Sequence, residues 1–132
     1  MLPGSCLCGK VRYEITGTPM LMYYCHCTAC QKATGSAFAS NILVQTDDFA
    51  VVAGREVLSA FESSPNKQRH FCSCCGSPIY SQGEETKQFV SVRCGTLDAD
   101  PTTRPQLHYF VGSKVPWFEI ADALPQRPAG AS

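Results

Sequence analysis

Nine cysteines in 132 residues, most of them in three tight groups, concentrate the chemistry of this chain. The groups are Cys6-Leu-Cys8, Cys25-His-Cys-Thr-Ala-Cys30 and Cys72-Ser-Cys-Cys75, and Cys94 stands apart. Thiolates this close together suit a metal ion better than neighbour-to-neighbour disulfides. In a closed structural site Zn²⁺ takes four donors in a tetrahedron, with Zn–S near ~2.3 Å. One tight run cannot supply four thiolates without severe backbone strain, so such a site pairs two short motifs distant in sequence. Cys6 and Cys8 form one half. Cys72 and Cys75 form the other, with Gly76 behind them to permit the turn. One ion held this way would clip the N-terminal strand to the later half of the chain. Cys74 is left outside this set, because adjacent residues rarely both reach one ion.

The middle group offers three thiolates, Cys25, Cys27 and Cys30, and no obvious fourth partner. Three protein ligands with one open position is the arrangement of a catalytic metal. Closure by His26, Cys74 or Cys94 would instead make it structural, and spacing leaves the two readings open. His26, between two ligands, is a candidate proton shuttle near neutral pH, or it points away from the metal and packs. Cys94, ending an apolar strand, reads as a small buried hydrophobe. His70 and His108 have no visible partners and read as structural. Arg93 could meet a carboxylate bidentately, but a strand arginine on a solvated face is the plainer expectation. Trp117 reads as core or interface, and Asp98 and Asp100, near Pro101, as turn formers.

The elements that must position these groups are short strands. The segment 10–16 alternates, with Val11, Tyr13 and Ile15 on one side and polar residues on the other, as a half-buried strand does. Further strands are expected over 21–24, 37–44, 49–52, 57–61, 69–71, 79–81 and 89–93, with one helical turn after Cys30 stopped by Gly35. Gly, Pro, Asn and Asp clusters separate them, notably 63–66 and 98–101. Many short strands without a long amphipathic helix indicate an all-β sandwich or open barrel. Residues 1–124 are expected to form one domain, and the Pro- and Ala-rich segment 125–132 a frayed tail.

Eleven basic residues balance eleven acidic ones. That removes the basic surplus expected of a nucleic-acid or anionic-membrane binder. No apolar stretch approaches the roughly 20 residues needed to span a bilayer, and the start MLPGSCLCGK lacks the pattern of a secretory signal. A reducing, cytoplasmic setting is therefore expected, in which thiols stay free for metal.

Three ordered stretches, 4–13 (GSCLCGKVRY), 25–32 (CHCTACQK) and 69–78 (RHFCSCCGSP), resemble the glutathione-dependent formaldehyde-activating enzyme family. The pieces 92–98 and 108–118 are also similar to that family's ending, so the likeness runs from about residue 4 to about residue 120. The resemblance implies an all-β, Mss4-like open antiparallel sheet or barrel stapled by two Zn²⁺ ions. Cys6, Cys8, Cys72 and Cys75 would hold a structural ion. Cys25, Cys27 and Cys30 would hold an open one, where a thiol such as glutathione binds. The implied activity is that of a carbon–sulfur lyase adding the thiol to formaldehyde or a related small electrophile. The alternative is a non-enzymatic Mss4-like binding module. Neither nucleic acid nor membrane is an expected partner.

Overall fold

The computed structural model describes residues 1–130. The alternating segment predicted over 10–16 becomes strand β2 (Arg12–Ile15), with Val11, Tyr13 and Ile15 all buried. It lies between β1 (Leu2–Ser5) and β5 (Phe49–Ala53), antiparallel to both, in a three-stranded sheet. The remaining strands are β3 (Leu21–Cys25), β4 (Ala39–Gln45), β6 (Leu58–Ser64), β7 (Lys67–Cys72), β8 (Pro78–Gly83), β9 (Phe89–Arg93) and β10 (Leu107–Tyr109). They form a seven-stranded sheet in the order β10-β3-β4-β9-β8-β7-β6. Every neighbouring pair in it is antiparallel except β10 with β3. Neither sheet closes on itself, so the all-β, open-sheet expectation holds.

Two strands went unread in the sequence. β1 carries Pro3 and Gly4, which read as punctuation, but Gly4 is required there. A Cβ at Gly4 would lie 2.0 Å from the Tyr13 ring of the paired strand. β10 is three residues long and acquires its identity only by lying parallel to β3. Residues 125–130, expected as part of a frayed tail, carry backbone hydrogen bonds. Arg127 N donates to His108 O (2.8 Å), His108 N to Pro125 O (2.9 Å) and Phe110 N to Ala129 O (3.1 Å), so this segment runs alongside β10. The last part of that expectation, 131–132, lies outside the described residues.

The core fills the space between the sheets, where Val11, Tyr13, Ile15 and Val51 of the small sheet meet Ile42, Val44, Ile79, Val90 and Val92 of the large one. An aromatic path crosses the seam, with Tyr13–Phe49 centroids 5.3 Å apart and Phe49–Tyr80 4.8 Å apart. Side chains alternate along strands, so the other face of the large sheet carries a different set. Tyr23, Asn41 and Arg93 are cross-strand partners in one row, and Leu21, Leu43, Ser91, Ser81 and Arg69 in the next. Cys25 ends β3 beside this face. The one α-helix, α1 (Thr28–Thr34), is stopped by Gly35 at φ 64°, as its sequence predicted. No helix is long and apolar enough to cross a membrane among the described residues.

Candidate functional site

Cys6 and Cys8 sit in the turn after β1, Cys72 ends β7, and Cys75 lies in the β7–β8 turn. The two turns come from different sheets, and their four sulfurs all lie within 4.8 Å of one another. Cys6 Sγ is 3.5 Å from Cys8 Sγ, and Cys8 Sγ is 3.8 Å from Cys72 Sγ. A tetrahedron with Zn–S near ~2.3 Å has edges of about 3.8 Å, so the donor set fits such an ion. In each turn a glycine N–H returns to the carbonyl of the first cysteine. Gly9 N donates to Cys6 O (3.0 Å) and Gly76 N to Cys72 O (2.7 Å). The two glycines have φ of 81° and 80°, a region that L side chains rarely adopt. Leu7 N donates to Ser77 Oγ (2.9 Å) across the junction, and Val11 N donates to Cys6 Sγ (3.3 Å). The Cys75 thiol is pulled down to about 5 by the hydroxyl and backbone N–H of Ser77. Cys74 is exposed, outside the cluster and 3.7 Å from Lys10 Nζ.

The second cluster is built at the β3–α1 junction. Cys25 is the buried end of β3, Cys27 is the N-cap of α1 and Cys30 lies buried in its first turn. Cys27 Sγ accepts from Cys30 N (3.3 Å), so the sulfur that caps the helix also faces the other two thiols. The Cys27 thiol is pulled far down by the Cys25 and Cys30 thiols, with further help from Cys30 N–H and Arg69. The Cys27 and Cys30 thiols, with burial behind them, push Cys25 up. Cys27 thus has the thiolate character that a cation needs. No fourth His, Cys, Asp or Glu joins it among the described residues. Both Arg69 Nη atoms lie 3.8 Å from Cys30 Sγ, and its Nε donates to Ser63 Oγ (2.9 Å).

A cavity of about 370 Å³ opens against this trio, lined by Cys25, Cys30 and the strand face that carries Tyr23, Asn41 and Arg93. Arg93 is therefore not on a solvated face, as its strand position suggested. It is 6% exposed, its Nη1 donates to Asn41 Oδ1 (2.7 Å), and its Nε has no partner.

His26 turns away from the thiols into a buried chain. Its Nε2 lies 2.8 Å from His108 Nδ1, and His108 Nε2 lies 3.0 Å from an Asp122 carboxylate oxygen. Asp122 accepts only, so His108 places its proton on Nε2 and its bare Nδ1 accepts from His26 Nε2. His26 N donates to Tyr109 O (2.9 Å), and Gln31 Nε2 donates to both His26 O and Ser113 O. The turn from Cys25 to Cys30 is thereby held against β10 and the segment after it. This pairing has no local signature, since its members lie 82 and 14 residues apart.

The other candidates take structural places. His70 stacks on Tyr80 with centroids 4.2 Å apart. Asp100 accepts from Thr102 N and pairs with Arg104 (2.8 Å), the turn-forming role expected of it. Asp98 accepts from Ser5 Oγ. Cys94 packs against the core, and burial pushes its thiol up to about 11. Trp117 is 72% exposed and so no core residue, while its neighbour Phe118 packs on Phe38.

The family model described as glutathione-dependent formaldehyde-activating enzyme matches residues 1–113. The chain belongs to that family. Among similar members, a Halomonas elongata protein provisionally named for glutathione-dependent formaldehyde activation is 32% identical, covering 91% of this chain and 81% of its own. Fungal proteins with the same provisional name, from Podospora anserina and Talaromyces marneffei, are each 29% identical, and the chain spans 54% and 60% of their lengths. A crystal structure of a Rhodobacter sphaeroides protein superposes with a TM-score of 0.64 at 22% identity, covering 74% of this chain and 89% of the other, and shares the fold. Within this glutathione-dependent formaldehyde-activating family member, the matched segment holds both cysteine clusters, Arg69, Arg93 and His108. It ends before Asp122.

Proposed function

We propose that this protein is a zinc-dependent carbon–sulfur lyase that adds a small thiol, glutathione in the family's named reaction, to formaldehyde or a related small aldehyde. The observation that carries this reading is the three-thiol cluster, joined by no fourth His, Cys, Asp or Glu among the described residues and facing a cavity. In this reading Cys6, Cys8, Cys72 and Cys75 hold a structural Zn²⁺, and Cys25, Cys27 and Cys30 hold a second, open one. A Zn²⁺ ion on three thiolates would favour a substrate thiol's thiolate form and could polarise a carbonyl oxygen. The chain's residues supply the rest. Cys27 holds its sulfur toward the other two thiols by capping α1. Arg69 places its guanidinium against Cys30, draining charge from that thiolate and leaving a bound cation more electrophilic. The cavity wall keeps the reacting pair partly out of water.

The reaction balances without a redox partner. The S–H bond breaks, a C–S bond forms at the carbonyl carbon, and the proton ends on the new hydroxyl. The reverse reaction is the lyase direction. A thiol-rich cytoplasm fits such a reaction, with glutathione and the aldehyde as partners.

The test is zinc stoichiometry together with exchange spectroscopy on [¹³C]formaldehyde and glutathione, which reads the enzymatic rate above the spontaneous one. Wild type is expected to carry two zincs and accelerate exchange. Cys27→Ala is expected to carry one zinc, keep its fold and lose the acceleration. A Cys27→Ala protein with two zincs and full exchange would sink the assignment. Two zincs in wild type with no response to any thiol would favour the non-enzymatic binding module.

A further inference from the structure

We propose that the cavity beside the Cys25–Cys27–Cys30 cluster contains a carboxylate subsite built on Arg93, and that its ligand is a thiol bearing a carboxylate on an apolar body. The second half rests on the open-metal reading above; the first half does not.

The charges on the page are lopsided. Lys67 and Arg93 line the cavity, Arg69 borders it through Cys30, and no Asp or Glu is among the lining residues. Arg69 and Arg93 are each at least nine-tenths buried, and neither is in an ion pair among the described residues. Burying a charge without a countercharge is strongly unfavourable. A divalent cation on three thiolates would leave one net negative charge against these two guanidiniums. Lys67 adds a third positive charge at the cavity, so a thiolate and a carboxylate on one ligand would balance the site.

Donor accounting points to Arg93 as the group that receives the carboxylate. Arg69 spends its Nε on Ser63 and its two Nη atoms on Cys30. Arg93 uses Nη1 on Asn41, while its buried Nε has no partner. A guanidinium carries five N–H donors in a planar fork that matches a carboxylate bidentately. Neutral Asn41 fixes the fork's orientation without neutralising it.

Register supplies the ligand's shape. Arg93 shares its cross-strand row with Asn41 and Tyr23, one row from the Cys25–Ala39 pair. Leu21, Leu43 and Phe89 lie further along the same strands and also line the cavity. A ligand with its sulfur at the cluster would reach Arg93 with its carboxylate one row away, and its apolar part would extend beyond Arg93 along that wall.

Four probes separate the two halves of the proposal: 3-mercaptopropionate, its primary amide, butyrate and butyramide. The zinc-loaded protein is titrated with each by ligand-observed NMR. Each acid is expected to bind at least about 10-fold tighter than its amide, the usual scale of a charge-assisted hydrogen bond. Arg93→Gln is expected to bring both acid-to-amide ratios close to one while two zincs remain, and Arg93→Lys to restore part of the preference. Equal binding of acid and amide by wild type overturns the subsite. So does a preference that survives Arg93→Gln. If that variant does not fold, the wild-type ratios and Arg93→Lys still decide. The sulfur comparison is independent: a mercapto acid that binds no better than butyrate, with the acid preference intact, refutes the thiol ligand and leaves the carboxylate subsite standing.

Discussion

Losing an ion from the first cluster should destabilise the fold far more than losing one from the second, and the structure says by how much. The first cluster joins turns of different sheets, with Cys8 and Cys72 separated by 64 positions. Cross-linking a chain across a loop of that length removes about 4 kcal/mol of unfolded-state entropy, whereas a loop of about five residues, as in the second cluster, removes about 2 kcal/mol. The comparison needs substitutions that change little else. Cys8 is exposed, so Cys8→Ser opens no cavity. Cys27 caps α1, and Ser is a better N-cap, so Cys27→Ser keeps that hydrogen bond. Urea unfolding followed by circular dichroism would be run at a buffered free zinc level where each variant carries one ion, confirmed by native mass spectrometry. Cys8→Ser is expected to lose about 2 kcal/mol more than Cys27→Ser, a difference of about 30-fold in the folding equilibrium. With total stabilities of about 5–15 kcal/mol for domains of this kind, the shift in midpoint is easily read. A Cys27→Ser variant as unstable as Cys8→Ser would refute the clip reasoning.

Two further outcomes test the rest of the scaffold. Asp122→Asn weakens the acceptor that fixes His108, so it is expected to cost about 1 kcal/mol and to disturb the imidazole ¹⁵N shifts of both His108 and His26. Unchanged shifts would show that the chain does not set the tautomers. Gly4→Ala places its Cβ 2.0 Å from a buried Tyr13 ring that is itself tied to Thr96 (2.7 Å), and is expected to cost about 3 kcal/mol by overpacking. Gly35→Ala meets nothing within 4 Å and pays only for its positive φ, about 1 kcal/mol. Thermal melts of the pair check that ranking.

What was legible in the sequence was whatever local spacing encodes. The alternation of Val11, Tyr13 and Ile15 named a strand and its buried face together, and the cysteine spacings named both clusters. Gly35 stopped α1 because only the chain's own turn geometry was at issue. What was illegible depended on contacts between distant segments. β10 is too short to carry a pattern and exists because β3 is there to receive it. The segment 125–130 has a tail's composition, yet its backbone finds partners along β10. Arg93 read as solvated because strand alternation gives the face of a residue but not what covers that face. His26, His108 and Asp122 carry no motif, and only the parallel pairing of β10 with β3 brings them together.

The two clusters would offer the same donors to a cation, but their surroundings differ. Around the first, the neighbours close in: glycines at positive φ fold each turn back on its own cysteine carbonyl, Val11 N–H serves Cys6, and Leu7 and Ser77 lock the turns together. Four thiolates around a divalent cation carry two net negative charges, and two of these sulfurs, Cys6 and Cys72, are buried. The backbone N–H of Val11 faces that charge at the Cys6 sulfur. Around the second, the neighbours hold back one donor and add two guanidiniums. Three thiolates would leave a bound cation with a vacancy in its electron demand, and Arg69, 3.8 Å from Cys30 Sγ, would increase that demand. The same two arginines make the surrounding field positive, so a ligand that is both electron-rich at sulfur and negatively charged gains from both features at once. A structural ion needs neither an adjacent cavity nor buried uncompensated cations; a site that must bind and release an anionic thiol needs both.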